Sequence, residues 1–330
     1  MQRYHISLIV AFLLLCPLAL RAGDKKAVAV GNRHALVLKT DGSLWSFGFN
    51  LYGQVGDGTT SSRHEPVKIM DDVVQISAQE NNSMAVKADG SLWAWGENNY
   101  GSLGDGTTDE HHYPVKIMDN VSKVCTGSQQ SYAICRDGSL WGWGNNSHGQ
   151  LGDGTNTDRK TPVRIMGNVK DVSGGDGEAL VVCNDGTLYL LTPGKPFGPR
   201  KIMEGVKKAA CWGVNMVLRN DGTLWTWGFN NDGQLGNGST QSFYSPQQAG
   251  MIMSGVSDIT SGDRHAMAIK TDGTLWGWGW NQYGQIGNGT TTNSYSPVKV
   301  YDNVSSVACG YTISAWITRD GELCLVGRPF

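Results

Sequence analysis

Six polar side chains in the sequence are candidates for catalysis, because they include acids and bases suited to proton transfer. They are Arg33, His34, Asp176, Glu178, Arg264 and His265. Carboxylates and imidazoles act as general acids and bases when a fold brings them to one cleft. The sequence contains no G-x-S-x-G nucleophile motif and no H-E-x-x-H zinc motif beside them. It therefore offers candidate catalytic residues without a catalytic motif.

Two other groups of residues resemble metal ligands. Glu110, His111 and His112 form the densest cluster, but adjacent histidines in a glycine-rich loop are typical of a solvated turn. Asp-Gly pairs such as Asp57-Gly58 suggest calcium, yet they lack the alternating acidic positions of a calcium loop. Asparagine also replaces the aspartate in two copies of this motif. We therefore expect turns here, with no metal and no cofactor.

The elements that must position these residues are repeats. The stretch WGNNSHGQLGDGT, from Trp143 to Thr155, has near copies that begin at Phe47, Trp95, Trp227 and Trp278. An Asp-Gly marker, usually followed by Ser or Thr, Leu and an aromatic residue, occurs seven times. Its copies begin at Asp41, Asp89, Asp137, Asp185, Asp221, Asp272 and Asp320. The chain therefore contains seven units, most of them about 48 residues long.

Each unit predicts four short strands. Asp-Gly between two apolar runs is a strong signal for a tight hairpin. In the strand that follows, Trp141 and Trp143 share one face, while Leu140, Gly142 and Gly144 share the other. Four strands in a unit of this length are typical of a propeller blade. We predict an all-β, seven-bladed β-propeller, a single domain over residues 23–330, in which the aromatic face of one sheet packs against the flat face of the next.

Two units depart from the pattern. The fourth lacks the glycine-rich loop, so we expect blade four to be the smallest and to have a short edge. The last unit ends at Phe330 without the Pro-Val-Lys-Ile phrase that completes the others. Only residues Gly23 to Lys26 could add an outer strand to the last blade, so closure of the ring by a full exchanged outer strand is in doubt.

The repeated phrases resemble those of a known family. W-G-x-N-x-x-G-Q-L-G-D-G-T, with H-A-x-x-x-K-T-D-G-x-L-W at Arg33 to Trp45 and Arg264 to Trp276, is similar to the repeat of the regulator of chromosome condensation family. The likeness runs from about Lys26 to Gly327 and suggests a secreted bacterial member. The resemblance implies a propeller fold. It is less specific for function, because different members of the family promote nucleotide exchange on a nuclear GTPase or inhibit β-lactamases.

Residues 1–22 differ from the rest of the chain. Arg3 and His5 precede a largely apolar run from Ile6 to Leu20, a pattern typical of a secretory signal peptide cleaved after Ala22. The run is short for a membrane span. A lipoprotein signal ending at Cys16 is the alternative. We expect a secreted, periplasmic or cell-surface protein.

The charge of the chain argues against a nucleic-acid partner, and its cysteines raise the question of disulfides. The 27 basic and 29 acidic side chains give a net charge of −2, without a basic stripe that would bind nucleic acid. Export permits disulfides, but nearly all of the six cysteines after residue 22 lie in predicted strands, which favours small buried hydrophobic residues. Only Cys125 and Cys135, on neighbouring strands, are candidates for a bridge.

One loop varies far more between units than the others. The loop after the small-residue strand reads Asn-Arg-His, Glu-Asn-Asn or Trp-Gly-Val in different units. Antiparallel strand order places it at the same end of the blade as the glycine-rich loop. Aromatic side chains among Asn, Gln and Ser are typical of a recognition surface. The predicted partner-binding residues are Arg33, His34, Tyr52, Tyr100, Gln129, His148, Trp212, Arg264, His265, Trp280, Tyr283 and Tyr311.

These observations favour a binding protein. We predict an exported, monomeric, non-enzymatic propeller that binds an extracellular or cell-surface protein, or a glycan, through the variable loops. The alternative is an extracellular hydrolase or lyase with its site in the central funnel of that face, using the six charged residues named first. Cell-surface adhesion is a third hypothesis.

Overall fold

The computed structural model describes residues 25–191 and 198–328. The predicted signal peptide, Gly23 and residues 192–194 of the fourth unit lie outside the described residues. The strands form seven antiparallel sheets, each built from strands consecutive in the chain. This arrangement confirms the seven-bladed, all-β propeller.

The first three blades have four strands each. Blade one contains β1 (Lys25–Val30), β2 (His34–Lys39), β3 (Leu44–Gly48) and β4 (Arg63–Met70). Blade two contains β5 (Val73–Gln79), β6 (Asn82–Lys87), β7 (Leu92–Gly96) and β8 (His111–Met118). Blade three contains β9 (Val121–Thr126), β10 (Gln130–Cys135), β11 (Leu140–Gly144) and β12 (Arg159–Met166).

The remaining blades vary at their outer edge. Blade four contains β13 (Val169–Gly174), β14 (Ala179–Cys183), β15 (Leu188–Leu191) and β16 (Arg200–Met203). Blade five contains β17 (Val206–Cys211), β18 (Asn215–Arg219), β19 (Leu224–Trp227) and β20 (Gly250–Met253), with a 3₁₀ turn at Pro246–Gln248. Blade six contains β21 (Val256–Ser261), β22 (His265–Lys270), β23 (Leu275–Gly279) and β24 (Ser294–Tyr301), and blade seven contains β25 (Val304–Cys309), β26 (Ile313–Thr318) and β27 (Leu323–Gly327).

The Asp-Gly turns explain the Asp-Gly-Ser-Leu-Trp pattern. Asp41 Oδ1 accepts hydrogen bonds from Ser43 N at 2.8 Å and Ser43 Oγ at 2.7 Å, and Ser43 Oγ accepts from Trp45 Nε1 at 3.0 Å. Gly42 supplies the positive φ of the turn. Hydrogen bonds from Ser43 lower the pKa of Asp41. The pattern is therefore a local hydrogen-bonded turn, and it marks one face of the ring, which we call the Asp-Gly face.

The glycine-rich loops lock neighbouring blades together. Trp95 of blade two is completely buried, and its Nε1 donates to the carbonyl of Gln54 in the loop of blade one at 2.9 Å. A Cβ atom on Gly56 would lie 2.6 Å from that Nε1. The same bond joins Trp143 to Ser102 and Trp278 to Gln234. Trp143 also shares one core with Leu92 and Ala94 of blade two, so the aromatic face of one sheet packs against the flat face of its neighbour, as expected.

Each glycine-rich loop is organised by one buried asparagine. Asn50 Oδ1 accepts from Val55 N at 2.8 Å, and its Nδ2 donates to the Thr59 carbonyl at 2.9 Å. Asn98, Asn146, Asn230 and Asn281 accept the matching backbone hydrogen bond in the other loops. The Asp57 side chain pairs with Thr59 and Arg63. These polar residues stabilise turns, as the sequence predicts.

Blade four has the short outer strand that we expected, but it is not the smallest blade. Its β16 has four residues, whereas β4, β8, β12 and β24 have eight. Blade seven has three strands among the described residues. The prediction that blade four is the smallest is wrong.

Side-chain packing holds blade one to blade seven. Val28, Val30 and Phe47 share one core with Ile313 and Leu325. Lys25 Nζ also donates to the carbonyl of Gly321 at 3.1 Å. Within the described part of the chain, no strand of blade one joins the sheet of blade seven. The ring therefore closes by contact between sheet faces.

The cysteines of the described residues are unbridged. Cys125 lies opposite Tyr132 in the ladder of blade three, whereas Cys135 lies opposite Val121. This offset separates the two side chains along the strands, so they cannot form the suggested disulfide. All six cysteines of the described chain are free, and five are buried, which agrees with their prediction as small core residues.

Candidate functional site

The variable loops and the glycine-rich loops lie on the same face of the ring, as predicted. Backbone hydrogen bonds join them in several blades: Phe49 N donates to Arg33 O, and Trp280 N donates to Arg264 O, both at 2.8 Å. We call this surface the variable-loop face. It consists of residues 31–33, 80–81, 127–129, 175–178, 212–214, 262–264 and 310–312, with the glycine-rich loops 49–62, 97–110, 145–158, 228–242 and 280–293.

An aromatic cluster spans blades six and seven on this face. Trp280 is 8% exposed, and its ring lies edge-on to Tyr283 at 5.3 Å and Tyr311 at 6.4 Å between centroids. The Arg264 guanidinium lies 5.8 Å from the Trp280 ring, and that of Arg328 lies 5.4 Å from the Tyr283 ring. Tyr283 and Tyr311 remain 41% and 40% exposed. We call these five residues the tyrosine patch.

The structure brings together four predicted residues in this patch and adds Arg328. Arg264 is held in place because its guanidinium also faces Asp232 at 3.3 Å. Arg328 follows the last strand, so no repeat pattern assigns it a place. Sequence analysis also missed Tyr295, which is exposed and packs against the glycine loop of blade five through Gly233. Its position two residues before the proline of the Pro-Val-Lys-Ile phrase was the available signal.

Two predicted residues are unavailable to a partner. His34 and His265 are completely buried, each at the start of the second strand of its blade. His34 Nε2 hydrogen-bonds Ser83 Oγ at 2.8 Å, and His265 Nε2 hydrogen-bonds Ser314 Oγ at 2.7 Å, across the blade boundary. Burial lowers the pKa of each imidazole to about 3. We correct their assignment as partner-binding residues: both connect neighbouring blades.

The other predicted residues are spread around the face. Arg33 is half-buried, with its guanidinium 5.3 Å from the Phe49 ring. Tyr52 is half-buried, and His148 is exposed with its Nδ1 3.0 Å from Ser147 Oγ. These side chains lie on different blades from the tyrosine patch.

Tyr100 and Gln129 line a cavity of about 180 Å³ between blades two and three. We call it the Glu80 pocket. Its lining consists of Glu80, Asn82, Glu97, Asn99, Tyr100, Ser102, Ser128 and Gln129. Burial, with the charges of Asp263, Asp176 and Glu97, raises the pKa of Glu80 to about 7.

Trp212 lies at the central channel. The first strand of every blade lines this channel, which encloses a cavity of about 260 Å³. The Trp212 indole is half-buried, and its Nε1 lies 3.3 Å from the side-chain amide of Gln79 on blade two, with that amide oriented to accept. Trp212 therefore spans part of the channel and is less available than the tyrosine patch.

The six candidates for acid–base chemistry do not meet in one cleft. His34 and His265 are each enclosed between different blades. Burial raises the pKa of Glu178, whose Oε1 accepts a hydrogen bond from Asn215 Nδ2 at 2.8 Å. Asp176 is exposed. The arrangement gives acidic charge at the channel mouth without an accessible histidine beside it.

The histidine pair at the rim is split between two carboxylates. His111 Nε2 lies 2.7 Å from Asp105 Oδ2, and His112 Nε2 lies 3.3 Å from Glu110 Oε1. Among residues 25–191 and 198–328, no group of three His, Cys, Asp or Glu side chains is arranged to hold a metal ion.

In the same ranges, no helix has the length and apolar character needed to cross a membrane.

Comparison with known proteins identifies relatives by sequence. The family model described as RCC1-like domain matches residues 16–249, and models of the regulator of chromosome condensation (RCC1) repeat match residues 256–285 and 272–317. The Ultraviolet-B receptor UVR8 of Arabidopsis thaliana is 34% identical over 131 residues, 38% of this chain and 30% of the receptor. The Protein RCC2 homolog of Danio rerio is 31% identical over 129 residues, 38% of this chain and 26% of the relative. The matches thus span less than a third of these relatives.

Solved structures share the fold at lower sequence identity. Human WBSCR16 superposes with a TM-score of 0.81 at 23% identity, covering 90% of this chain and 88% of that one. Prp20p of Saccharomyces cerevisiae superposes with a TM-score of 0.76 at 19% identity, covering 92% of this chain and 82% of that one. At these identities the likeness demonstrates a common fold.

Proposed function

The chain belongs to the RCC1-like domain family, and from this premise we propose that it is an exported, non-catalytic propeller that binds a protein partner through the variable-loop face. The observation that carries the proposal is the tyrosine patch. Tyr283 and Tyr311 present exposed rings on a buried Trp280 base. Aromatic side chains supported in this way are typical of the residues that dominate binding energy at protein interfaces.

Other observations favour a protein partner. The patch carries two arginines, Arg264 and Arg328, beside its aromatic rings, and Tyr, Trp and Arg are the residues enriched in interface hot spots. The yeast protein Prp20p, which shares the fold, binds Gsp1p and histones. A protein is therefore better supported than a glycan as the occupant of this face.

The enzyme alternative has less support. Its two histidines are buried with a lowered pKa, so neither is exposed to a substrate at the surface. Asp176, Glu178, Arg33 and Arg264 remain near the face, but no nucleophile motif accompanies them. We therefore assign these charged groups to binding.

Export is part of the proposal and rests on residues 1–22. The charged start, the apolar run and Ala22 fit a cleaved signal. Mass spectrometry of protein collected outside the cytoplasm should find Gly23 as the first residue. Full-length chain that begins at Met1 and stays inside the cell would contradict export and would move the search for a partner to the cytoplasm.

The experiment that tests binding is capture of a partner from the native extracellular medium by wild-type protein and by Tyr283→Ala and Tyr311→Ala variants. Tyr301→Ala is the matched control, because Tyr301 is 40% exposed but lies at the end of β24, beside the Asp-Gly face. We expect wild type and the control to retain the same partner and the patch variants to lose it. Equal capture by all four proteins would exclude the tyrosine patch as the binding site.

A further inference from the structure

The sequence contains two Asn-Gly pairs, Asn237-Gly238 and Asn288-Gly289, at the same place in the glycine-rich loops of blades five and six. An asparagine before glycine can lose its side-chain amide without an enzyme. The glycine nitrogen attacks the asparagine Cγ and forms a cyclic succinimide, and the absence of a glycine side chain leaves this attack unhindered. In a folded chain the reaction also requires that the glycine N–H is free.

The two asparagine side chains are held in the same way. Asn237 Oδ1 accepts hydrogen bonds from Ser239 N at 3.1 Å and Ser239 Oγ at 2.9 Å. Asn288 Oδ1 accepts from Thr290 N at 3.1 Å and Thr290 Oγ1 at 2.9 Å. The buried asparagine that organises each loop donates to the same oxygen, at 3.3 Å in blade five and 3.2 Å in blade six. Both following glycines have a φ of +79°, so neither side chain nor turn distinguishes the two sites.

The glycine nitrogens differ between the two sites. Gly238 N donates to the carbonyl of Tyr295, in the outer strand of blade six, at 2.8 Å. Gly289 N has no hydrogen-bond acceptor among the residues that the structure describes. Gly289 is also exposed, and no described atom lies within 4 Å of a Cβ added to it. The attacking nitrogen is therefore bonded in blade five and free in blade six.

The outer strand of the next blade supplies the acceptor wherever the nitrogen is bonded. Gly58 N donates to His112 O at 2.8 Å, and Gly106 N donates to Lys160 O at 2.9 Å. Each acceptor, like Tyr295, is the second residue of an eight-residue outer strand. Blade four has only the four-residue β16, and blade seven has three strands in the described chain. The loops of blades three and six, which precede these two blades, both lack the bond to a described residue.

We propose that Asn288 is a site of spontaneous deamidation in the folded protein, whereas Asn237 is protected by the neighbouring blade. The nitrogen of Gly289 forms a bond to Cγ of Asn288, and its proton leaves with the side-chain NH₂ group as ammonia. Water then opens the succinimide at one of its two carbonyls and yields aspartate or isoaspartate. Water is the only co-reactant, and no oxidation or reduction takes place.

The aspartate product fits the loop that contains it. Asp57, at the same place in blade one, accepts from Thr59 N at 3.1 Å and from Thr59 Oγ1 at 2.8 Å. These are the hydrogen bonds that Asn288 makes with Thr290. Isoaspartate, in contrast, adds one carbon to the backbone of a tight turn. We therefore expect the aspartate product to keep the loop conformation and the isoaspartate product to change it.

Both products also add a negative charge to the variable-loop face. In blade one the Asp57 carboxylate pairs with Arg63, which lies opposite the last glycine of the third strand. Ser294 takes that position in blade six, so the matching place holds no cation. The affected loop also carries Trp280 and Tyr283 of the tyrosine patch. Deamidation thus changes the charge of the loop that supports the patch.

The experiment follows both sites in one sample, by peptide mass spectrometry of the full protein aged at pH 8. We expect Asn288 to convert to the acid at least about fivefold faster than Asn237, the factor that one backbone hydrogen bond contributes. Both rates should fall at pH 6, because the attacking species is the deprotonated nitrogen. Equal rates at the two sites, faster conversion of Asn237, or an unmodified Asn288 would each overturn the proposal.

Protein unfolded in urea is the matched control, because both pairs then lose their neighbouring blades. The two sites should react there at similar rates. A difference of the same size in urea would assign it to the local sequence and contradict the structural explanation. Asn288→Asp blocks the reaction, so the modified peptide should be absent when this variant is aged; its persistence would place the modification at another residue. None of these measurements needs a partner, so their outcome is independent of the proposed function.

Discussion

Gly56 shows how one missing side chain can hold two blades together. Its φ is +86°, and an added Cβ would lie 2.6 Å from Trp95 Nε1. Gly58 has a nearly equal φ of +82°, but nothing lies within 4 Å of its added Cβ. Substitutions at the two glycines therefore separate the free-energy cost of a left-handed backbone from the free-energy cost of steric overlap.

Substitution of each glycine by alanine measures the two costs. Gly58→Ala should reduce the free energy of unfolding by about 1–2 kcal/mol, the penalty for a left-handed residue with a Cβ. Gly56→Ala should lose a further ~1–3 kcal/mol, because the Trp95 indole must move. Urea unfolding measures both variants. Equal losses would show that Trp95 adjusts without cost and that the glycine serves the turn alone.

The two buried histidines make stability depend on pH. Each has a pKa of about 3 in the folded protein and about 6.5 when unfolded. Between these values the unfolded chain binds more protons, so the free energy of unfolding falls as the pH falls from 6.5 towards 3. The expected slope is about 1.4 kcal/mol per pH unit for each histidine.

His34→Asn tests this contribution, since asparagine occupies the matching place in blade two at Asn82. The variant should lose roughly half of the histidine-dependent slope between pH 6 and pH 4, with His265 supplying the rest. His148→Asn, at an exposed position, is the control and should leave the slope unchanged. Thermal unfolding at several pH values provides the measurement. A wild-type slope in His34→Asn would contradict the low pKa.

At the scale of elements, the repeated turns could be predicted because their causes are local. Asp41, Gly42 and Ser43 make their hydrogen bonds with one another, so the sequence pattern contains the whole interaction. The asparagine of each glycine-rich loop likewise bonds within its own loop. For this reason the seven units, the strand order and the face that gathers the variable loops followed from the sequence.

The burial and contacts of single site residues could not be predicted in the same way, because they depend on the neighbouring blade. The repeat pattern predicts His34 to be part of a loop, but it is the first residue of β2 and is covered by Ser83 of blade two. Trp280 of blade six supports Tyr311 of blade seven. Arg328 reaches Tyr283 from the end of the described chain. Such contacts join residues far apart in sequence, and no local pattern specifies them.

At the scale of the whole molecule, the two faces of the ring differ in how much their loops vary between units. The Asp-Gly face repeats one turn in every unit, whereas the variable-loop face differs from blade to blade. Packing between blades one and seven closes the ring without an exchanged outer strand in the described chain. The variable-loop face is therefore supported by blades that share one antiparallel strand arrangement. The tyrosine patch on this face is the area that we propose binds the partner.

The most direct test of this account is the affinity of the captured partner for tyrosine-patch variants, measured by calorimetry on proteins of equal thermal stability. Tyr283→Ala and Tyr311→Ala should each weaken binding by about 2 kcal/mol, because exposed rings on a buried base are typical hot-spot residues. Tyr301→Ala, of similar exposure beside the Asp-Gly face, should bind like wild type. Loss of affinity in Tyr301→Ala, with full affinity in both patch variants, would place the binding surface on the opposite face and contradict the account.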